Sequence, residues 1–186
     1  AQDFKKQFQP DHSIVLCDDG SAWTCGGNGF GQLGDGTTAD KSIPVQVSAL
    51  FNINLLTAGY YHSMALRNEG TVWTWGYNLN GQLGDGTTTN RTTPVQVIGL
   101  SNIAAIVAGE FHSMALRKDS TVWTWGENSN GQLGDSTTLN KSFPIQVIGL
   151  SNIIDIAAGG YHSIALRNDG TVWTWGGNWS GQLGDG

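Results

Sequence analysis

Short segments of alternating or continuous apolar residues, separated by glycine-rich turns, run along the whole chain. The run 71–76 (TVWTWG) is rich in β-forming residues, and two-residue alternation places both of its tryptophans on one face. Residues 103–109 are a short apolar run that ends in glycine, and 112–117 is a second candidate strand. Asn168-Asp169-Gly170 is a typical hairpin turn, because glycine adopts a positive φ at little cost. The pattern predicts an all-β protein.

The segments recur with a period of 50 residues, and a shift of 50 superposes the chain on itself without a gap. Residues 51–100 and 101–150 agree at 32 of 50 positions. We label the predicted strands of each period A (as in 103–109), B (112–117), C (71–76) and D, which Pro94 opens. Proline suits the start of an edge strand, where no amide hydrogen is needed. Four short strands per period in tandem predict β-propeller blades, in preference to a β-solenoid or a sandwich.

Several linked motifs resemble the regulator of chromosome condensation repeat. They are 58–66 (AGYYHSMAL), 70–76 (GTVWTWG) and 80–84 (NGQLG), and the similarity covers residues 12–186. The resemblance implies a seven-bladed propeller, of which this chain would supply about 3.5 blades. The near-identical repeats with threonine-rich loops resemble bacterial members. From this we expect a bacterial protein that is secreted or at the cell surface, with the cytoplasm as the alternative.

The period divides the chain into repeats at 12–61, 62–111, 112–161 and a partial 162–186. Residues 1–11 form an N-terminal arm outside the pattern, because lysines stand at 5 and 6 where an apolar A strand is expected. The first period is therefore predicted to lack strand A, and the last lacks strand D. An open arc would expose strand edges. We expect a segment of a longer propeller, with completion by neighbouring chains as the alternative.

Charge and composition narrow the possible partners. Nine basic and 15 acidic residues give a net charge of −6, without any basic cluster, so we expect no nucleic-acid binding. Eight tryptophans and only 13% charged residues argue against disorder. No apolar run approaches the roughly 18 residues of a membrane helix, and we expect neither a membrane span nor a secretory leader in this sequence.

The residues that could carry chemistry all recur with the period, which favours structural roles. One histidine per repeat (His12, His62, His112 and His162) lacks neighbours at metal-ligand spacing, and a hydrogen bond to its A–B turn would explain it. Asp35 and its equivalents offer one carboxylate per loop and are predicted to bond their own downstream amides. Cys17 and Cys25 lie about 13 Å apart along a hairpin, too far for a disulfide. We expect no metal, cofactor or enzymatic activity.

A non-catalytic protein-interaction scaffold is the function that these features favour. One alternative is a self-assembling structural subunit, whose ring or filament further copies of the chain would complete. The other, implied by the resemblance, is guanine-nucleotide exchange on a small GTPase. That alternative is weakened because the gapless repeats contain no counterpart of the extra hairpin of the exchange factor.

Variation between repeats identifies the face that would bind a partner. In an antiparallel blade the A–B and C–D loops emerge on one side, and the B–C and D–A loops on the other. The second side is nearly uniform between repeats, whereas the first side changes in size, charge and aromaticity. Exposed aromatic residues on one face suit protein binding. The residues predicted to contact a partner are Tyr60, Tyr77, Leu79, Glu110, Glu127 and Trp179.

Overall fold

The computed structural model describes residues 5–8 and 11–186, and the side chains of 11–186. Its strands form four separate antiparallel sheets, one for each repeat. In chain order the strands are β1 Lys5–Phe8, β2 His12–Leu16, β3 Ala22–Gly26, β4 Lys41–Gln46, β5 Ile53–Ala58, β6 His62–Arg67, β7 Val72–Gly76, β8 Arg91–Gln96, β9 Ile103–Ala108, β10 His112–Arg117, β11 Val122–Gly126, β12 Lys141–Gln146, β13 Ile153–Ala158, β14 His162–Arg167 and β15 Val172–Gly176.

Each sheet is a blade whose strands follow chain order. The first three blades have four strands (β1–β4, β5–β8 and β9–β12), and the fourth has three (β13–β15). The prediction that the first repeat lacks strand A is wrong, because β1 pairs with β2 from Lys5↔Leu16 to Phe8↔Ser13. Strand pairing uses backbone groups, so a segment without the apolar signature of strand A can still complete a blade.

Strand D begins earlier than its proline. β8 starts at Arg91, so Pro94 lies inside the strand and does not open it as predicted. The pairing of β8 with β7 is irregular, since Thr74 pairs with Val95 while Gly76 pairs with Arg91. Strand D is the outer edge of the blade, where a residue without an amide hydrogen breaks no ladder.

The apolar core lies between neighbouring blades. One cluster joins Ile14 and Val47 of the first blade to Leu56 and Trp75 of the second. Equivalent clusters join the second blade to the third and the third to the fourth. The prediction that the paired tryptophans form the core between blades is confirmed for Trp75, which is fully buried. Burial of one such side chain contributes roughly 3 kcal/mol.

A polar bridge crosses each junction beside this core. Nε2 of His12 lies 2.9 Å from Oγ of Ser63 in the next blade, and Ser63 Oγ donates to the carbonyl of Gln32 at 2.9 Å. Because the hydroxyl hydrogen goes to Gln32, the imidazole must donate through Nε2–H. The repeated histidine is structural, as predicted, but its ring bonds the following blade and not its own A–B turn. His62–Ser113–Gln82 and His112–Ser163–Gln132 repeat the bridge.

The recurrent Gly-Gln-Leu-Gly-Asp motif supplies the other half of each junction. The Gln32 carbonyl also accepts a hydrogen bond from Nε1 of Trp75 at 2.8 Å. Gly34 has a φ of +71°, and a Cβ there would lie 2.7 Å from the same indole nitrogen. Only glycine combines that backbone conformation with so close an approach. The motif is therefore the socket for the tryptophan of the next blade.

The fourth blade presents part of its apolar surface to solvent. Val172 is 61% exposed and Trp173 is 44% exposed, whereas Val122, the equivalent of Val172, is buried. Cys17 and Cys25 are both free, in agreement with the prediction from the hairpin register. Among the described residues there is no helix long and apolar enough to cross a bilayer.

Candidate functional site

The A–B turns and C–D loops emerge on the same side of the blades, as strand order predicts. The amide of Tyr77 in a C–D loop donates to the carbonyl of Tyr61 in the A–B turn of the same blade, at 2.9 Å. Glu127 and Phe111 repeat this bond in the third blade. We call this side the loop face, comprising the turns at 59–61, 109–111 and 159–161 and the loops at 27–40, 77–90, 127–140 and 177–186.

Each C–D loop of the first three blades is held by a buried asparagine and an aspartate. Nδ2 of Asn78 donates to Asp85 and to the carbonyls of Thr87 and Thr89, while its Oδ1 accepts from the amide of Leu83. Asp85 Oδ1 accepts from the amide of Thr87 at 3.0 Å, which confirms the predicted turn for this aspartate. Arg91 pairs with Asp85 at 2.6 Å. These loops are therefore rigid platforms for their variable side chains.

An aromatic surface covers the loop face from the first blade to the fourth. Ring centroids of Phe30 and Tyr77 lie 5.0 Å apart, and those of Tyr77 and Phe111 lie 5.9 Å apart. The series continues from Phe111 to Tyr161 at 6.4 Å and from Tyr161 to Trp179 at 5.5 Å. These separations are typical of favourable aromatic pairs. The members of the aromatic surface are Phe30, Tyr60, Tyr61, Tyr77, Phe111, Tyr161 and Trp179.

A cavity of about 270 Å³ opens on the loop face where the A–B turns of three blades meet. Its lining residues are Tyr60, Ala108, Gly109, Glu110, Ala158, Gly159 and Gly160. The Tyr60 amide donates to the Glu110 carbonyl, and the Glu110 amide donates to the Gly160 carbonyl, both at 3.2 Å. These bonds join the turns side by side. We call this space the Glu110 cavity.

Glu110 lines this cavity, and the charge of a second carboxylate, Glu127, lies near it. Burial, followed by the nearby charge of Glu127, raises the pKa of Glu110 above its usual value. The Tyr161 hydroxyl bonds Glu110, and the pKa of Tyr161 is raised by burial and then by the charges of Glu110 and Glu127. Glu127 Oε1 accepts from Ser129 at 2.9 Å, while its buried Oε2 has no hydrogen-bond partner among the described residues. The site is negative and rimmed by tyrosine.

The structure brings together some of the residues predicted to bind a partner and separates others. Tyr60 and Glu110 line one cavity, and Glu127 acts on it electrostatically. Tyr77 lies within the aromatic surface, and Trp179 ends that surface with 68% of its side chain exposed. The remaining residue is the exposed Leu79, on the C–D loop of the second blade.

Sequence comparison between repeats did not identify five further residues of this face, which are Phe30, Tyr61, Phe111, Tyr161 and Gly160. Tyr61, Phe111 and Tyr161 are aromatic in every repeat from the second onward, so a search for variation passed over them. Gly160 stands where the preceding repeats carry Tyr60 and Glu110, and it was not among the predicted residues. A Cβ at Gly160 would lie 3.1 Å from Oε2 of Glu110, which shows that this carboxylate reaches over the glycine. The sequence did contain a signal for the three aromatic residues of the turns, because each A–B turn from the second repeat onward has an aromatic residue directly after the variable position.

On the opposite face, several charged side chains have partners close by. In the B–C turns, Asp19 accepts from the hydroxyl of Ser21, and Asp169 accepts from that of Thr171. Arg67 lies 4.3 Å from the centre of the Trp73 ring and 3.7 Å from Glu69. Within the described part of the chain, no group of three or more His, Cys, Asp or Glu side chains is arranged to hold a metal ion on either face.

The fold and its junctions define a β-propeller built from tandem 50-residue blades. Comparison with known proteins assigns the family, since the sequence model of the RCC1-like domain matches residues 9–186. The chain belongs to the RCC1-like domain family. No curated protein sequence matches it significantly.

Solved structures of this family superpose well on the chain. Human WBSCR16 gives a TM-score of 0.81 with 23% identity, over 90% of this chain and 45% of its own. Prp20p from Saccharomyces cerevisiae gives 0.74 with 30% identity, over 89% of this chain and 41% of its own. The yeast RCC1 (Prp20) structure bound to Kap60 gives 0.75 with 26% identity, over 89% and 40%. The chain thus spans less than half the length of these neighbours.

Proposed function

We propose that this chain is a non-catalytic protein-interaction scaffold that binds its partner through the loop face. The proposal rests on one observation: residues of the loop face differ from repeat to repeat, while the blades that hold them keep the same backbone arrangement. Positions 60, 110 and 160 read Tyr, Glu and Gly, while strand B, which follows each of them, is nearly identical between repeats (HSMALR, HSMALR and HSIALR). Their frame is fixed by backbone bonds between turns, so these substitutions change the surface without changing the fold.

The chemistry of the loop face supports this proposal. Trp179 and Leu79 are 68% and 61% exposed, and Trp179 belongs to a connected surface of seven aromatic rings. Large, rigid aromatic side chains dominate the energetics of protein interfaces. Prp20, a family member, was solved bound to Kap60 and studied for binding to Gsp1p and histones. Protein binding is thus a property of at least one neighbour.

A peptide-display selection on the purified chain, followed by affinity measurement for the enriched peptides, tests the proposal. The variant Tyr77→Ala/Trp179→Ala should weaken binding at least about tenfold, because alanine scanning finds losses of 2 kcal/mol or more at such anchors. The matched control, Glu69→Ala/Asp169→Ala on the opposite face, should bind as the parent chain does. Thermal melting of both variants establishes that the fold is retained.

Two results would contradict the proposal. One is an equal loss of affinity in the opposite-face variant, which would place binding elsewhere. The other is a selection that enriches no peptide sensitive to the loop-face substitutions. Sedimentation of the parent and both variants identifies a second copy of the chain as the partner, if the mass rises with concentration and Tyr77→Ala/Trp179→Ala abolishes the rise.

A further inference from the structure

The Glu110 cavity has the size and position of a receptor for one side chain. Its volume of about 270 Å³ lies where three A–B turns meet, beside the aromatic surface. Gly159 and Gly160 form one wall, where the preceding repeats carry Tyr60 and Glu110 at the position of Gly160. Because the turns are tied by backbone hydrogen bonds, the absence of a side chain at Gly160 leaves an opening and does not collapse the turn.

The charge of the cavity is not neutralised from within. Glu110 and Glu127 interact unfavourably, and neither forms an ion pair with any basic residue of the described chain. The lysines that begin strand D in the first and third blades pair with other groups, as Lys41 pairs with Asp35 at 3.3 Å and Lys141 with Asp135 at 3.2 Å. Two adjacent carboxylates without a counter-ion attract a cation from outside.

The walls favour an organic cation over a bare metal ion. Tyr60 lines the cavity, and Tyr161 bonds the Glu110 carboxylate that faces it. Aromatic faces attract cations within about 6 Å, and stack best with a planar guanidinium. Calcium, in contrast, takes six to eight oxygen ligands, and two carboxylates supply too few.

We propose that the Glu110 cavity binds the guanidinium group of an arginine side chain presented by the protein partner. The proposal rests on the proposed function, since it names the chemistry of the partner at that face. Arginine offers five N–H donors in a planar fork, which can bond the Glu110 carboxylate that lies over Gly160, while the nearby charge of Glu127 strengthens the attraction. Tyr60 lines the cavity and offers an aromatic contact to the guanidinium, and Tyr161 holds the Glu110 carboxylate by its hydrogen bond.

Titration of the isotope-labelled chain with N-acetyl-arginine-N-methylamide, followed by amide NMR shifts, tests this proposal. Saturable shifts are expected at Tyr60, Glu110, Gly160 and Tyr161. The citrulline analogue has the same shape without the charge, and should bind at least about tenfold more weakly, because charge-assisted hydrogen bonds are about twice as strong as neutral ones. The lysine analogue should also bind more weakly, since its ammonium lacks the planar fork.

Charge-removing variants locate the site. Glu110→Gln/Glu127→Gln should weaken binding of the arginine probe at least about tenfold, whereas Glu69→Gln/Asp169→Asn on the opposite face should leave it unchanged. Equal binding of citrulline, or equal loss in both variants, would overturn the cavity as a cation site. Equal binding of lysine would overturn the assignment to arginine.

Failure here is distinguishable from failure of the proposed function. Suppose that display-selected peptides lose affinity with Tyr77→Ala/Trp179→Ala but contain no arginine and bind Glu110→Gln/Glu127→Gln normally. The loop face would then be the binding face, and the arginine proposal would be wrong. Enrichment of arginine-containing peptides that lose affinity with both variants supports both proposals.

Discussion

The blade junctions and the loop face are made from the same repeats, yet the junctions repeat one set of neutral polar bonds while the loop face carries unpaired charge. At a junction, the Gln82 carbonyl receives Ser113 Oγ and Trp125 Nε1, both at 2.9 Å, and all these groups are buried. On the loop face, Glu110 and Glu127 lie together without a cation from the described chain, and one carboxylate oxygen is left without a hydrogen bond.

This difference shows which constraint acts on each region. A junction residue must match a partner in the next repeat, so the same residue recurs every 50 positions. A loop-face residue projects from a frame that is already complete, so it varies without unfolding the blade. Unfavourable interactions retained on a stable frame are typical of binding sites.

The largest difference in stability should appear between a buried tryptophan at a blade junction and an exposed tryptophan on the loop face. Trp125→Ala removes a fully buried indole and its bond to Gln82, and should lower the free energy of unfolding by about 3–5 kcal/mol. Trp179→Ala removes an exposed indole and should change it by less than about 0.5 kcal/mol. Urea unfolding monitored by circular dichroism measures both. A comparable loss from Trp179→Ala would make that residue part of the core.

A smaller effect should appear when the pH is lowered. Burial, reinforced by neighbouring histidines, lowers the pKa of His62 to about 3 and that of His112 to about 4, against 6.5 for an unburied histidine. Between pH 6.5 and 4, these histidines therefore bind protons in the unfolded chain but stay neutral in the folded chain. The free energy of unfolding is highest above pH 6.5 and falls as the pH decreases toward 4. Each histidine contributes a slope on the order of 1.4 kcal/mol per pH unit, or a few kcal/mol over this range.

Urea midpoints at pH 7.5, 6.0 and 5.0 measure this dependence. That range avoids acid titration of the aspartates, such as Asp135, whose pKa is lowered to about 2. His62→Gln keeps a donor for Ser113 and should make the decline shallower. An unchanged decline in that variant would mean that the buried histidines do not cause it.

The smallest effect should have the opposite sign and lie on the loop face. Because the pKa of Glu110 is raised in the fold, its ionised form opposes folding at neutral pH, and this cost disappears as the pH falls below the folded pKa. Glu110→Gln should therefore raise the free energy of unfolding at pH 7 by about a few tenths of a kcal/mol, since solvent screens the charge. The gain should vanish near pH 4.

Glu69→Gln on the opposite face is the matched control. Hydrogen bonding by its own backbone amide, with help from Thr71 and Arg67, lowers the pKa of Glu69, so its substitution should slightly decrease the urea midpoint at pH 7. If Glu110→Gln also decreased the urea midpoint at pH 7, Glu110 would be a stabilising residue and not a destabilising one.

The sequence predicted the blades well because the periodic residues are those that form the core. Trp75 and the Asp85 turn recur in register, and their roles followed from alternation and turn chemistry. The bond from His62 to Ser113 was not predicted, because it joins residues 51 positions apart in different repeats. Strand β1 was missed since backbone pairing needs no apolar pattern.

The Glu110 cavity was out of reach of sequence analysis for a geometric reason. Alternation and strand order place Tyr60, Glu110 and Gly160 on one side, but the spacing of neighbouring turns depends on the angle between blades. That angle comes from packing at the junctions. The Glu110 carboxylate lies over Gly160 and bonds Tyr161, and these contacts can be seen only in the three-dimensional structure.

The junction bridge has a consequence for how such a chain changes its length over evolutionary time. The second and third blades each carry a histidine donor toward the following blade, and a serine and a tryptophan toward the preceding one. A duplicated 50-residue unit inserted in register would find a matching neighbour on both of its sides. Recombination between repeats can thus add or remove a blade in one event, while each copy is free to acquire its own loop residues afterwards.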